Sequence, residues 1–448
     1  MDSWLRLSEI ASMACGELRG EDAEISGIST DTRNLHFGDL FIALEGEKFD
    51  GHKFIDDTVE QIVSGIFIHK EIMTQLPSIL VDDTLAGMSR WAQAWRKRVD
   101  PKLVAITGSN GKTTVKQMIS NILSQAGSTC ATKGNLNNHI GVPLTLLALR
   151  VNNQFAVIEM GANNFGEINH LSLLAEPEVA VITNAGPAHL EGFGSVEGVA
   201  KAKGEIINGV RDGGTIVLNA DDQYLDVWLE KSKHLNIMTF GFSDSATVKG
   251  EINEDHTLSV SVNDEVFSIN LPLPGKHNAY NALASIAVGT AFNIDRNDIK
   301  NGLENADQVH GRLQLKQGML GATIIDDTYN ANPASLQAAI EVLCAQSKEP
   351  WLVLGDMGEL GEDTVSIHAH MGEIARAAGV KKLFGLGELA KQAVDEFGEN
   401  GFFFSKHDVL SRELLNQMSE NCCILIKGSR TMHMEDVVNF LIESKTVH

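Results

Sequence analysis

The stretch Val104-Ala105-Ile106-Thr107-Gly108-Ser109-Asn110-Gly111-Lys112-Thr113-Thr114 limits the fold more than any other part of the chain. An apolar run of strand length meets a glycine-rich turn, beyond which Val115, Met118, Ile119, Ile122 and Leu123 recur at helical spacing. A strand that turns directly into a helix with one buried face belongs in a sheet covered by helices, so α/β architecture with parallel strands is expected around it. The same turn suits phosphate, because its backbone N–H groups and the positive end of the helix converge on one spot. Gly108, Ser109, Asn110, Gly111, Lys112, Thr113 and Thr114 form this candidate nucleotide cradle, with Lys112 placed for the β- and γ-phosphates and the Thr113 hydroxyl for Mg²⁺. The loop is short: Ile106 stands six residues before the lysine, where such motifs commonly carry their first glycine. A chance glycine turn before a helix is the alternative; strand, Gly-Lys-Thr-Thr and amphipathic helix together favour the nucleotide.

With 448 residues the chain is too long for one core and is expected to form about three domains. Thirty-six basic against 59 acidic residues give a formal charge of −23, which repels nucleic-acid backbones and anionic membrane surfaces and confines phosphate ligands to local, directed sites. No apolar run is long enough to span a bilayer, and the opening Met1-Asp2-Ser3-Trp4-Leu5 lacks a basic start and apolar core, so a cytoplasmic protein without membrane insertion is expected. Five irregularly spaced cysteines among apolar neighbours read as reduced, space-filling thiols rather than a zinc site.

The predicted organisation is a small α+β domain over residues 1–83, a central parallel-sheet domain over 84–311 and a C-terminal Rossmann-like α/β domain over 312–448. In the first, Asp39–Leu44 and Gly65–Ile68 read as strands. The loops with Ser29, Thr30, Asp31 and Arg33 and with Asp50, Gly51 and His52 read either as a site for a nucleotide diphosphate or as solvated turns. Residues 84–100 read as a connector helix with Met88, Trp91 and Trp95 on one stripe, ended before Pro101.

Central strands are predicted at Phe155–Ile158, Val179–Ile182 and Thr215–Leu218, and 246–271 reads as a hairpin insertion. Ligands gather at strand carboxyl ends. Glu159 and His189 fall there, the carboxylate suited to Mg²⁺ and the histidine either to the metal region or to a supporting or capping contact. Lys203 lies on the apolar stripe of Val196, Val199, Ala200, Ile206, Ile207 and Val210, so it either snorkels to the surface or has a partner or special chemical state. In the third domain, strands are predicted at Thr323–Ile325, Trp351–Leu354, Lys382–Phe384 and Cys423–Ile426. Their loops define a second nucleotide-like pocket without a lysine of the Lys112 kind, and Asn332 with Pro333 reads as a helix N-cap and first-turn pair.

The chain resembles the Mur ligases along essentially its whole length. The resemblance rests on Thr107–Thr114, Thr132-Lys133-Gly134-Asn135-Leu136-Asn137-Asn138, His189–Ser195, His277-Asn278 to Asn281, and Asp327-Thr328-Tyr329-Asn330-Ala331-Asn332-Pro333. The asparagine-rich loop and the last segment are similar to the branch that adds a dipeptide rather than a single amino acid. That resemblance implies an ATP-dependent peptide ligase joining D-alanyl-D-alanine to UDP-N-acetylmuramoyl-tripeptide through an acyl phosphate, releasing ADP and phosphate, in cytoplasmic peptidoglycan precursor synthesis. It implies catalytic roles for Lys112, Lys203, His189 and Arg312, Mg²⁺ contacts from Thr113, Glu159, His189 and a CO₂-carbamylated Lys203, and nucleotide contacts from Asn281, Arg312 and Asp327. Asn135, Asn137 and Asn138 resemble contacts to the muramoyl-peptide, the loops at 29–33 and 46–52 the uridine-diphosphate site, and Tyr329 and Asn330 contacts to the incoming dipeptide. A monomer acting on small molecules is expected. A sibling ligase that adds one amino acid, a folylpolyglutamate-type ligase, a P-loop kinase or mechanical ATPase, and a non-catalytic nucleotide-binding module are the alternatives.

Overall fold

The computed structural model describes residues 5–187, 190–263, 265–272, 275–305 and 310–442. Three sheets carry the architecture, with five, nine and six strands in chain order, beside two short two-stranded ribbons. The fold class is α/β, as expected.

The five-stranded sheet runs in the order Glu17–Arg19, Ser78–Leu80, Gly65–Ile68, Asp39–Ile42, Gly27–Ser29 and is parallel except for its first pair. Asp39–Ile42 and Gly65–Ile68 are buried on both faces, which explains their unbroken apolar reading. The helix Thr84–Val99 is more than a connector. Trp91 and Trp95 are buried in one apolar cluster that runs from Leu5 and Leu7 to Leu218 and Leu235. Trp95 donates its indole N–H to Leu149 O at 3.1 Å, and the buried Arg96 donates to Ala175 O and Glu176 O at 2.6 and 2.9 Å, satisfying the end of the helix Glu167–Ala175.

The nine-stranded sheet has the order Thr129–Ala131, Phe155–Glu159, Lys102–Thr107, Val179–Ile182, Thr215–Asn219, Asn236–Gly241, Val248–Ile252, Leu258–Val262, Glu265–Ile269. Its first seven strands run parallel, and Leu258–Val262 pairs antiparallel with its neighbours on both sides, Val248–Ile252 and Glu265–Ile269. Residues 246–271 are expected as an inserted hairpin, but their strands Val248–Ile252, Leu258–Val262 and Glu265–Ile269 extend the central sheet, because Val248, Leu258, Val260 and Ile269 are buried with Leu283 and Ile286 of the helix Lys276–Ala291. After Lys102–Thr107 the chain turns to one edge, whereas Phe155–Glu159 leads toward the other. Accordingly the helix Lys112–Ala126 packs on one face, with Lys276–Ala291, and Glu167–Ala175 on the opposite face. The loop after Lys102–Thr107 therefore opens at a topological switch point.

The six-stranded sheet, ordered Gln314–Gln317, Thr323–Asp327, Cys422–Lys427, Glu349–Gly355, Lys382–Leu386, Gly401–Phe404, is parallel but for its first strand. Pro333–Gln346 and Thr364–Ala378 pack on one face, His407–Gln417 and Glu435–Ile442 on the other, so a second switch point lies around the end of Cys422–Lys427.

Candidate active site

The strand Lys102–Thr107 delivers the cradle. Ile106 is a fully buried strand residue, in register with Glu159 on one side and Val181 on the other, so the turn begins only at Gly108. Glycine is required twice here. At Gly108 (φ 146°) a Cβ would sit 1.9 Å from Thr183 Oγ1, and at Gly111 (φ 83°), which starts the helix Lys112–Ala126, one would sit 2.4 Å from Asn281 Oδ1. The turn is fastened to the loop after Val179–Ile182. Thr183 Oγ1 and Asn184 Nδ2 donate to Asn110 O at 2.6 and 3.1 Å, Asn110 N donates to Asn184 Oδ1 at 3.0 Å, and Ser109 Oγ donates to Gly186 O at 3.0 Å. Thr183 and Asn184 did not stand out in the sequence, since their role depends on a strand some 70 residues away being next in the sheet.

Lys112 folds back over the turn and donates to Gly108 O at 2.7 Å and Ser109 O at 3.2 Å. Burial, with the charge of Arg312, pushes its pKa down, and nearby Glu159 opposes this. Glu159, 1% exposed at its strand end, accepts from Asn137 Nδ2 at 2.8 Å through one oxygen. Its other oxygen accepts no hydrogen bond and has only the Lys116 ammonium at 3.5 Å. A buried carboxylate oxygen left in this state is a fitting ligand for a hard divalent cation, and the Thr113 hydroxyl lies in the first turn of the helix beside it.

Lys203 is 1% exposed at the end of the helix Val196–Lys203, with its Nζ 5.4 Å from the centre of the Phe193 ring. It does not snorkel, and among the described residues its ammonium has no hydrogen bond or ion pair. Burial, then the charge of Lys112, brings its pKa down to about 7. His189 lies outside the described residues.

Residues from the six-stranded sheet complete this centre. The Arg312 guanidinium lies over the Tyr329 ring at 4.2 Å, with its Nε buried and unbonded. Burial, and then the negative charge of Glu159, raises the Tyr329 phenol. Asp327 is buried, paired with Lys427, and accepts from Leu313 N at 3.3 Å; Lys427 also donates to Asn330 O at 3.0 Å. Asn332 caps the helix Pro333–Gln346 as expected, accepting from Ser335 N at 2.9 Å, but its Nδ2 also donates to Asn110 Oδ1 at 2.7 Å. His277, at the start of the helix Lys276–Ala291, is held at about 4 by burial, with Asp327 and Lys427 nearby. Asn281 donates to Asn278 Oδ1 at 3.2 Å and rests on Gly111.

The asparagine-rich loop divides its labour. Asn137 holds Glu159, Asn138 accepts from Ile140 N and Gly141 N at 3.1 and 2.9 Å to start the next helix, and Asn135 is exposed. Beside it a cavity of about 250 Å³ is lined by His139, Gly161, Phe165, Glu167, His170 and Leu171, among others. A larger cavity, about 440 Å³, lies past the far end of the helix Lys276–Ala291, near Asn263 and Arg296, away from these strand ends.

In the five-stranded sheet both candidate loops follow the carboxyl ends of parallel neighbours, Gly27–Ser29 and Asp39–Ile42. Ser29 Oγ donates to Asp31 O at 2.9 Å, and Arg33, 86% exposed at its side chain, holds the Asp31 carboxyl at about 2; Thr30 lies between them. Asp50 and His52 are instead engaged within the fold: Asp50 pairs with Lys70 at 2.9 Å and His52 Nδ1 at 2.7 Å, and His52 Nε2 accepts from His69 N at 3.3 Å. Gly51 passes so close to Leu44 O that a Cβ would lie 2.8 Å from it. No hydrogen bond or ion pair among the described residues joins these loops to the cradle.

A glycine cradle at a switch point, an underused buried carboxylate one strand over and an arginine reaching in from a second sheet define a P-loop nucleotide-binding protein of a phosphate-activating kind. Models of the Mur ligase middle domain, the Mur ligase glutamate ligase domain and the Mur ligase family catalytic domain match residues 106–289, 311–430 and 24–88. The chain is 39% identical to the UDP-N-acetylmuramoyl-tripeptide–D-alanyl-D-alanine ligase of Escherichia coli strain K12, over 98% of this chain and 99% of that protein. A crystal structure of MurF from Acinetobacter baumannii superposes with a TM-score of 0.90 at 33% identity, covering 98% of both chains. MurF from Thermotoga maritima, solved in complex with ADP, gives a TM-score of 0.82 at 27% identity, covering 92% of this chain and 96% of that one. The chain belongs to the Mur ligase family.

Proposed function

We propose that this protein joins D-alanyl-D-alanine to UDP-N-acetylmuramoyl-tripeptide at the expense of ATP, in the cytoplasm and as a monomer, in peptidoglycan precursor synthesis. The observation that carries this reading is the seating of the loop Asp327–Pro333 directly on the cradle, through the Asn332 Nδ2 bond to Asn110 Oδ1, with Tyr329 stacked on Arg312 in the same loop. It brings a second substrate's contacts to the γ-phosphate. No helix of the described residues is long and apolar enough to cross a membrane.

A carboxylate is a poor acylating group, so the tripeptide's terminal carboxylate oxygen attacks the γ-phosphorus of ATP, the bond to the β-phosphate oxygen breaks, and ADP departs. The dipeptide amine then attacks the acyl carbonyl, phosphate leaves, and the nitrogen sheds a proton. The chain's part is positioning and charge. Lys112 exchanges its loop carbonyls for phosphate oxygens, the backbone of 108–114 holds the triphosphate, and Arg312 supports the transferring group from the other sheet. Asn281 and Asp327 serve the nucleoside, Asp327 from a carboxylate already fixed by Lys427. Thr113, Glu159, His189 and Lys203 would hold Mg²⁺, which neutralises charge on the phosphates when bound.

Lys203 fits this metal region only in altered form, since a buried ammonium would repel the cation. Lowered to about 7, its neutral amine adds to CO₂ with loss of a proton and becomes an anionic carbamate. The muramoyl-peptide lies along Asn135, Asn137 and Asn138, its uridine diphosphate on residues 29–33 and beside the loop 46–52, whose shape Asp50 and His52 hold through Lys70 and His69. Residues 1–83, 84–311 and 312–448 then act as muramoyl-peptide, ATP and acceptor domains, the last closing over ATP. Incubation with ATP, Mg²⁺, the UDP-muramoyl-tripeptide and D-alanyl-D-alanine should yield the pentapeptide mass with ADP and phosphate. AMP with pyrophosphate, or ATP turnover without a joined product, would reject the reading.

A further inference from the structure

Asn332 is 222 residues from Asn110 in sequence, and theirs is the one hydrogen bond among the described residues that runs directly between the cradle 108–114 and the six-stranded sheet. Both partners are rigidly presented. Asn110 has its backbone N–H on Asn184 and its carbonyl on Thr183 and Asn184. Asn332 has its backbone N–H on Ser335 Oγ at 3.1 Å and its Oδ1 on Ser335 N. The amide orientation is unique: turned over, it would set an NH₂ against the Ser335 N–H and an oxygen against Asn110 Oδ1, two repulsions in place of two bonds. Three residues back, Tyr329 stacks under Arg312, and Asn330 is held by Lys427 through its carbonyl.

We propose that Asn332 is a positioning residue for the ligation. Its carbonyl oxygen fixes the helix while its NH₂ ties the acceptor loop to the phosphate turn, setting Tyr329 and Asn330 in register with the reacting phosphate. This rests on the acceptor-loop reading above and adds to it a residue whose sequence role is only that of a cap.

Aspartate and serine cap helices about as well as asparagine. Asn332→Asp cannot donate to Asn110 Oδ1, and Asn332→Ser is too short to reach it without adding charge. Both variants should melt close to the wild type. Asn332→Ser should raise KM for the acceptor dipeptide about three- to tenfold while KM for the UDP-muramoyl substrate stays put; Asn332→Asp, with a carboxylate facing the phosphates, should lose more. In a double-mutant cycle with Asn110→Ala, the Asn332→Ser change should cost almost nothing further in kcat/KM for the dipeptide. Wild-type acceptor kinetics in both Asn332→Ser and Asn332→Asp, or fully additive losses in the cycle, would overturn the tie. If the wild type prefers another amine, the function assigned above fails, yet the same cycle run with that amine still decides the tie by the same two outcomes.

Discussion

At the strand ends of the central sheet, Glu159 keeps a buried oxygen without a hydrogen bond, and Lys203, buried at the end of its helix, has an ammonium with no hydrogen bond or ion pair among the described residues and only the Phe193 ring 5.4 Å away. At the equivalent ends of the six-stranded sheet, Asp326 is held by Lys316 at 2.6 Å, Asp327 by Lys427 and Asp356 by Ala390 N at 2.7 Å. Both sheets gather polar groups at a switch point, but their carboxylates differ: those of the six-stranded sheet are paired, although Arg312 Nε and Gln314 Oε1 beside them are buried and unbonded. Buried groups without partners are costly unless a ligand completes them, which suits a centre for phosphate and Mg²⁺. Groups already paired hold loops in shape and leave the Tyr329 hydroxyl and the Asn330 side-chain NH₂ to meet a short peptide, the Asn330 Oδ1 being taken up by Ala331 N at 2.9 Å. The cation–ring stacking of Arg312 on Tyr329 sits on the seam between the two designs.

The comparison breaks most completely at Lys203. Lys203→Ala should nearly abolish ligation while the fold survives, since the side chain holds no structural hydrogen bond in the described residues; near-normal turnover would remove Lys203 from the metal region. The amine must be neutral to take up CO₂, and protonation grows as pH falls below about 7. Wild-type activity in CO₂-depleted buffer should therefore recover on adding bicarbonate, with more needed at pH 6 than at pH 8. Indifference to bicarbonate at both values contradicts the carbamate.

On the paired side, Lys427→Met leaves the Asp327 carboxylate buried without its cation and should destabilise the third sheet by about 3–5 kcal/mol in denaturant titrations. Adding Asp327→Asn should return most of that loss. A single-variant cost below about 1 kcal/mol would show that the pair does not hold the loop.

Much of this contrast was legible in the residues. Strand-length apolar runs, the glycine turn and the inward Lys203 are local patterns, and each of the predicted central and C-terminal strands is present. What could not be read is what depends on distant neighbours. Asn332 has the spacing of an N-cap and nothing in its surroundings announces Asn110. Asp50 and His52 have the composition of a ligand loop, yet His69 and Lys70, in the loop after the strand Gly65–Ile68, take up their polar atoms. Residues 248–269 alternate as any hairpin does, and only the apolar face of Lys276–Ala291 makes them part of the main sheet.

A smaller effect is expected from the acceptor contacts. Tyr329→Ala and Asn330→Ala should each raise KM for the dipeptide by about ten- to a hundredfold before ATP binding is affected, as removal of one buried polar contact costs about 1–3 kcal/mol. An equal rise in KM for ATP would instead assign the loop to the nucleotide.

The most direct test of the two-sheet account is a side-by-side comparison of acceptors with the intact enzyme, ATP, Mg²⁺ and the UDP-muramoyl-tripeptide, products identified by mass. The account predicts kcat/KM for D-alanyl-D-alanine far above that for D-alanine, D-glutamate, L-lysine or glutamate, because a single amino acid leaves polar groups of the paired, preformed loop unanswered. Equal efficiency with any one of these single amino acids would contradict it.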